Sequence, residues 1–257
     1  MFFIRPFCNL LKCLRPAGRL LFAAVVLVFL GTYAGPSISL AQENSDATGA
    51  IADRALPVQG RQFALIFDDG PLPESTPRLL DALSKAGMKA TFSLVGSCVD
   101  KYPDLARRIV SEGHEIANRT WSNRDLTSLE PEHMRHEINA GMTSIVAATG
   151  VRPRYFRPPQ GLTNVQIEEF LSASGLEILR PTLDSGDWRK PPPGEVRKTI
   201  LNGITPGAIV LAHESFPKSV AEMPSILDEL LRRGYVSLTV SELKSEAGMS
   251  VAGLSAR

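Results

Sequence analysis

Two adjacent carboxylates, Asp68 and Asp69, sit between the apolar run Phe63–Phe67 and the turn Gly70-Pro71. A run of that length closed by Gly-Pro reads as a short buried strand. Side chains leave a strand alternately to its two faces. At the strand end the backbone turns, so both acids can reach one cleft. Clustered acids repel unless a cation, a proton or water separates them. A metal ligand beside a general base would use such a pair. An acidic turn capping the next helix would use it too. Four more polar clusters follow apolar runs and bear on the choice: Asn118-Arg119-Thr120-Trp121-Ser122-Asn123, Arg157-Pro158-Pro159-Gln160-Gly161, Asp184-Ser185-Gly186-Asp187-Trp188 and His213-Glu214-Ser215. Five clusters gathered at strand ends would make an active site rather than unrelated loops.

The positioning elements alternate. Strands are expected over Phe63–Phe67, Ala90–Val95, Glu115–Ala117, Tyr155–Phe156, Glu177–Leu183, Ala208–Leu211 and Val236–Val240. Between them, amphipathic segments end at Gly87, Gly113, Gly150, Gly175 and Gly234, as helices do when glycine closes them. One of these, Val220–Arg233, carries Pro224 in its expected first turn. Repeated helix-glycine-strand transitions argue for a parallel α/β fold. Seven strands can close as a distorted β/α barrel or stay open as a doubly wound sheet. In both, a site belongs at the carboxyl ends of the strands.

The chain has 257 residues, 44% of them hydrophobic, which suffices for one sizeable core. Arg5, Lys12, Arg15 and Arg19 precede the apolar stretch Leu20–Leu30, and Ser39-Leu40-Ala41 supplies small residues. This pattern predicts an export signal over residues 1–41, cleaved before Gln42, or a membrane anchor if it is retained. Residues 42–60 read as a flexible linker, 61–245 as the catalytic-type domain and 246–257 as a tail. The formal charge is +1; without the basic leader it falls to about −3, which favours neither nucleic acid nor an anionic membrane as partner. Cys8 and Cys13 leave with the signal, so Cys98 has no internal disulfide partner and thiolate metal sites are excluded.

The ordered segments Phe67-Asp68-Asp69-Gly70-Pro71, Gly113-His114-Glu115-Ile116-Ala117-Asn118-Arg119-Thr120-Trp121-Ser122, Phe156-Arg157-Pro158-Pro159, Asp184-Ser185-Gly186-Asp187-Trp188 and Leu211-Ala212-His213 resemble the polysaccharide deacetylases of the NodB-homology type, carbohydrate esterase family four. The match runs from about Arg61 to Leu243. The resemblance implies a distorted (β/α)7 barrel. It also implies hydrolysis of carbon–nitrogen (non-peptide) bonds that removes N-acetyl groups from GlcNAc-containing glycans. Carried over by position, Asp68 would be the general base, Asp69 the metal-ligating acid and Arg157 the residue orienting the base. Asp187 would tune His213, and His213 would protonate the leaving amine. The backbone near Pro159-Gln160 would face the oxyanion, Trp188 would wall the pocket and Leu211 would line the acetyl slot. Trp121 offers a further surface for a sugar.

The family's usual zinc, cobalt or nickel is held by an aspartate and two histidines. Here Arg119 and Asn123 stand at the histidine positions. Arginine stays protonated and has no lone pair to offer, and an amide oxygen suits zinc poorly. No metal cofactor is therefore expected, and an Asp69–Arg119 salt bridge is expected in its place. His114 reads as a packed core histidine, and His133 and His136 as a solvated helix face. Two functions stay open. One is a metal-free hydrolase acting on an acetylated glycan or a small amide. The other is a catalytically silent glycan binder. A secreted α/β domain of unrelated function fits the motifs less well. Gln160 stands where the family usually has an aromatic, which narrows the stacking surface for a sugar. The expected location is exported, periplasmic or extracellular.

Overall fold

A computed structural model describes residues 55–255. The expected signal, its cleavage site, Cys8 and Cys13 lie outside the described residues. In chain order the elements are β1 (Gln62–Gly70), α1 (Thr76–Ala86), β2 (Thr91–Leu94), α2 (Gly96–Lys101), α3 (Pro103–Ser111), β3 (Glu115–Asn118), α4 (Pro131–Thr149), β4 (Tyr155–Phe156), α5 (Val165–Ala173), β5 (Glu177–Ile178), β6 (Leu183–Asp184), α6 (Glu195–Gly203), β7 (Ile209–His213), α7 (Pro217–Arg232), β8 (Val236–Leu238) and α8 (Val240–Ser255). No described helix is long and apolar enough to cross a membrane.

All pairings are parallel, in the order β5-β4-β3-β2-β1-β7-β6. The strand β8 pairs with the first residues of β1, Gln62 to Ala64, before β2 takes over at Ile66. Laid flat, seven strands would hold β5 and β6 about 29 Å apart. Yet the chain from Ile178 to Leu183 can reach at most roughly 18 Å. The sheet must therefore curl, and it does so as the distorted β/α barrel expected from the resemblance.

The stretch Glu177–Leu183, expected as one strand, is two, and they lie at opposite ends of the sheet order. Leu179 N–H donates to Phe156 on β4, and Thr182 N–H donates to Ile209 on β7. The segment thus bridges the barrel seam, and one strand cannot pair with both edges at once. Other elements also differ from expectation. Neither α2 nor α6 was anticipated, although α6 buries Val196, Ile200 and Leu201 at helical spacing. The helix α7 starts at Pro217, which places Pro224 in its interior. The helix α8 runs past residue 245, where a tail was expected. Within the 42–60 segment read as linker, Leu56 and Val58 pack against the barrel interior, and Leu56 N–H donates to Gly207 at 2.9 Å. Two apolar side chains at alternate positions explain that docking.

Period-two alternation sorts the strand residues into layers. On β1, Phe63, Leu65 and Phe67 face the helices, while Ala64 and Ile66 face the barrel interior. On β7, Val210 and Ala212 go outward and Ile209 and Leu211 inward. Ala117 of β3 and Tyr155 of β4 complete the inner layer. Continuing each alternation to the strand end aims Asp68, Arg119, Arg157 and His213 into the barrel mouth.

Candidate active site

The β1–β7 register sets Asp68 opposite His213. Asp68 is fully buried and its Oδ2 accepts from Arg119 Nη1 at 2.6 Å and Arg157 Nε at 3.2 Å. His213 Nε2 stands 3.9 Å from the same oxygen. Among the described residues, Asp68 Oδ1 has no hydrogen-bond partner. Asp69 would point outward by alternation. It adopts φ +77°, and the β1–β2 register shifts beside it, so its carboxylate also enters the cleft. Asp69 Oδ1 accepts from Arg119 Nε at 3.0 Å and Asn123 Nδ2 at 3.1 Å, and Oδ2 accepts from Ser215 Oγ at 2.5 Å. The expected Asp69–Arg119 salt bridge forms, and the same guanidinium also holds Asp68.

Asp187 grips His213 twice. Its Oδ2 accepts the His213 backbone N–H at 2.8 Å and its Oδ1 lies 2.7 Å from His213 Nδ1. That bond assigns the proton to Nδ1 and leaves Nε2 facing Asp68. Burial works to lower the His213 pKa, but the Asp187 hydrogen bond and the charges of Asp68, Asp187 and Asp69 outweigh it and hold it above 6.5. Burial likewise works to raise Asp68, but Arg119, Arg157 and His213 outweigh it and hold it below 3.8.

The loop carrying Arg119 and Asn123 is fixed from behind by α4. Asn118 Nδ2 donates to Ile138 O at 2.8 Å, Trp121 N–H to Glu137 O at 3.0 Å and Ser122 N–H to the Glu137 carboxylate at 2.9 Å. A Cβ on Gly141 would lie 2.5 Å from Asn118 Oδ1 and 2.6 Å from the Thr120 backbone, so only glycine allows this approach. Thr120 and Asn123 take φ of +63° and +58°, the tight path that lets both ends of the loop reach Asp69.

The remaining expected residues divide. Pro159 is buried beside Arg119, whose Nη1 reaches the Pro158 carbonyl at 3.5 Å. Gln160 is exposed with φ +56°. Leu211 is buried below His213. Trp188 is exposed, its Nε1 donating to Asp184 at 2.9 Å. Trp121 is exposed but its Nε1 donates to Asp100 on α2, outside the acid cluster. His114 is buried, accepts from Ala90 N–H at 3.2 Å and packs on the Phe92 ring. Burial and Lys89 lower its pKa to about 4. His133 and His136 are exposed on α4. Ser215 and Glu214 had no assigned role. Their signal was position, directly after His213 at a strand end.

The donor set does not fit a divalent metal. Arg119 places a fixed cation 3.0 Å from Asp69 Oδ1, and Asn123 is turned to donate to that oxygen. Among the described residues, no three His, Cys, Asp or Glu side chains form a group able to hold a metal ion.

Residues 56–179 match the family model for polysaccharide deacetylase. A chitooligosaccharide deacetylase of Bradyrhizobium is 33% identical over 190 residues, covering 68% of this chain and 87% of the relative. The chain belongs to the polysaccharide deacetylase family. The peptidoglycan-N-acetylglucosamine deacetylase PgdA of Listeria monocytogenes is 36% identical over 186 residues, 72% of this chain. This deacetylase-family chain spans 39% of the length of that relative. The solved structure of the peptidoglycan deacetylase PdaC of Bacillus subtilis superposes with a TM-score of 0.73 at 31% identity. It covers 76% of this chain and 95% of that one. The (β/α)7 barrel is therefore the fold that this family member shares with its structural neighbours.

Proposed function

We propose that this polysaccharide-deacetylase-family domain is an exported hydrolase that removes N-acetyl groups from a GlcNAc-containing glycan without a metal. The single observation carrying this reading is the pairing of Asp68 with His213. The two are 3.9 Å apart with pKa values driven in opposite directions. Environments that separate two titratable groups in this way assign base and acid.

Asp68 Oδ1, buried and free of protein partners, would take a proton from a water admitted with the substrate as the water oxygen bonds to the acetamide carbon. The oxyanion so formed faces the Arg119 guanidinium and the Gln160 N–H. Cations and N–H groups aimed at developing charge contribute several kcal/mol, on the order of 3 per donor. Protonated His213 gives its Nε2 proton to the departing amine as the C–N bond breaks. Acetic acid and a free amine leave, ionising in solution to acetate and an ammonium, and the proton on Asp68 returns to His213 through solvent. Asp187 holds the imidazole in the required tautomer throughout.

A second reading is favoured by one contact. Arg119 Nη1 on Asp68 Oδ2 occupies the base and weakens it, as expected in a catalytically silent glycan binder. A small amide in place of a glycan fits the same chemistry. Acetate release from N-acetylglucosamine oligomers decides among these, with and without chelator, for the full chain and for Asp68→Asn. Chelator-resistant release that disappears in Asp68→Asn is the expected result. Absence of release, with oligomer binding retained, overturns hydrolysis in favour of the binder.

A further inference from the structure

Beside the catalytic pair lies a cavity of about 350 Å³ whose lining includes Asp187, which holds His213, and Ser215, which holds Asp69. Phe216 joins the two, since its ring lines the cavity and packs edge-on against His213 at 5.7 Å. The volume falls within the range of small-molecule sites. Pro191, Pro192 and Pro193 form an apolar wall, and Lys190 and Lys218 stand at the cavity.

The acids here are already engaged. Asp187 spends both oxygens on His213. Glu222 accepts from Gly194 N–H at 2.8 Å and Arg197 N–H at 3.2 Å. Lys190 and Lys218, by contrast, form no ion pair among the described residues. Ser219, in the first turn of α7, is only 4% exposed and lines the cavity. The N-terminus of the 16-residue α7 adds its partial positive charge at the same place.

We propose that this cavity is a subsite for a carboxylate carried by a sugar next to the reacting acetamido sugar. The inference rests on the glycan reading above. Two cations and the Ser219 hydroxyl would hold the carboxylate, while the prolines and Phe216 would face the apolar parts of the ring. A glycan with an acidic substituent near its N-acetyl group would thus be preferred over neutral chitin-like chains.

Titration calorimetry on the full chain tests this with three oligosaccharides of equal length: neutral N-acetylglucosamine, a strand bearing 3-O-lactyl carboxylates, and an N-acetylated strand alternating with a uronate. A carboxylated strand is expected to bind about tenfold tighter than the neutral one, as two partly exposed charge pairs would give. The arm that gains identifies the source of the carboxylate. In Lys190→Gln/Lys218→Gln that preference should vanish while neutral binding stays unchanged. Equal affinity for all three, or a preference that survives the double substitution, overturns the subsite and leaves glycan binding intact. Failure of all three to bind overturns the glycan reading itself, and the subsite with it.

Discussion

Arg119 Nη1 lies 2.6 Å from Asp68 Oδ2 while Nε of the same guanidinium lies 3.0 Å from Asp69 Oδ1. One cation thus bridges two neighbouring acids at the barrel mouth, and Arg157 supplies a second positive charge to Asp68. Asp68 is fully buried and Arg119 only 4% exposed, so neither charge can fall back on water. Arg119→Met should therefore lower unfolding stability by about 2 kcal/mol, the scale of one lost charge-assisted hydrogen bond, since Arg157 still holds Asp68. Urea unfolding reads this out, and a loss near zero would show that the bridge is not structural.

Replacing the cation by ligands should reverse the metal preference. In Arg119→His/Asn123→His, one carboxylate and two imidazoles face a common space, the ligand types zinc takes. Added zinc should raise the melting temperature of that variant and leave the parent unmoved, because a ligand stabilises only the state that binds it. Equal shifts in both proteins would contradict the donor-set argument.

Asp187 acts through His213. Asp187→Asn keeps the shape but loses the charge that holds the Nδ1 proton. Metal-free acetate release should fall by about two to four orders of magnitude. His213 also loses the Asp187 support that keeps its folded pKa above 6.5. A raised histidine value contributes stability that is complete below 6.5 and lost as pH rises through the folded value. The parent should therefore lose stability on that upward path, and Asp187→Asn should lose less.

Glu214 follows a related sign. It is fully buried against Gly70, where a Cβ would lie 1.9 Å from its Oε1. Its Oε2 accepts the Thr76 hydroxyl, which accepts Leu72 N–H at 2.7 Å. Burial pushes its pKa up to about 8. An acid raised on folding binds its proton more tightly when folded, so stability is greatest below 4.5 and declines until pH reaches about 8. Glu214→Gln removes that decline and should stabilise the protein by roughly 3 kcal/mol at pH 7. Urea midpoints at pH 5 and pH 8 provide the check, and parallel slopes in parent and variant would refute it.

Gly141 tests the support of the Arg119 loop. Gly141→Ala would drive a methyl into Asn118 and the Thr120 backbone. A stability loss of about 1–3 kcal/mol is expected, with displacement of Asn118 and Thr120 resonances in NMR spectra. An unchanged loop would show that α4 yields instead.

Much of this site was legible in the chain. The acid pair after Phe63–Phe67, the polar clusters at strand ends and the helix-closing glycines are local patterns. Alternation alone turns Ala64, Ile66 and Asp68 to one side and Phe67 to the other. The replacement of two imidazoles by Arg119 and Asn123 could be seen by residue type, and their mismatch with a metal follows from lone pairs. What the chain did not reveal depends on strands far apart in sequence. Glu177–Leu183 has the composition of one strand, yet barrel closure splits it between two edges. Arg119 and Asp68 are 51 positions apart, and only the β1–β2–β3 register brings one guanidinium to both acids. The left-handed turn at Asp69, the pressure of α4 through Gly141 and the burial of Glu214 beneath Gly70 arise in the same way. Local patterns specify which face a side chain takes; which charges then meet is decided by packing, because Coulomb and desolvation energies depend on distances that only the closed barrel defines.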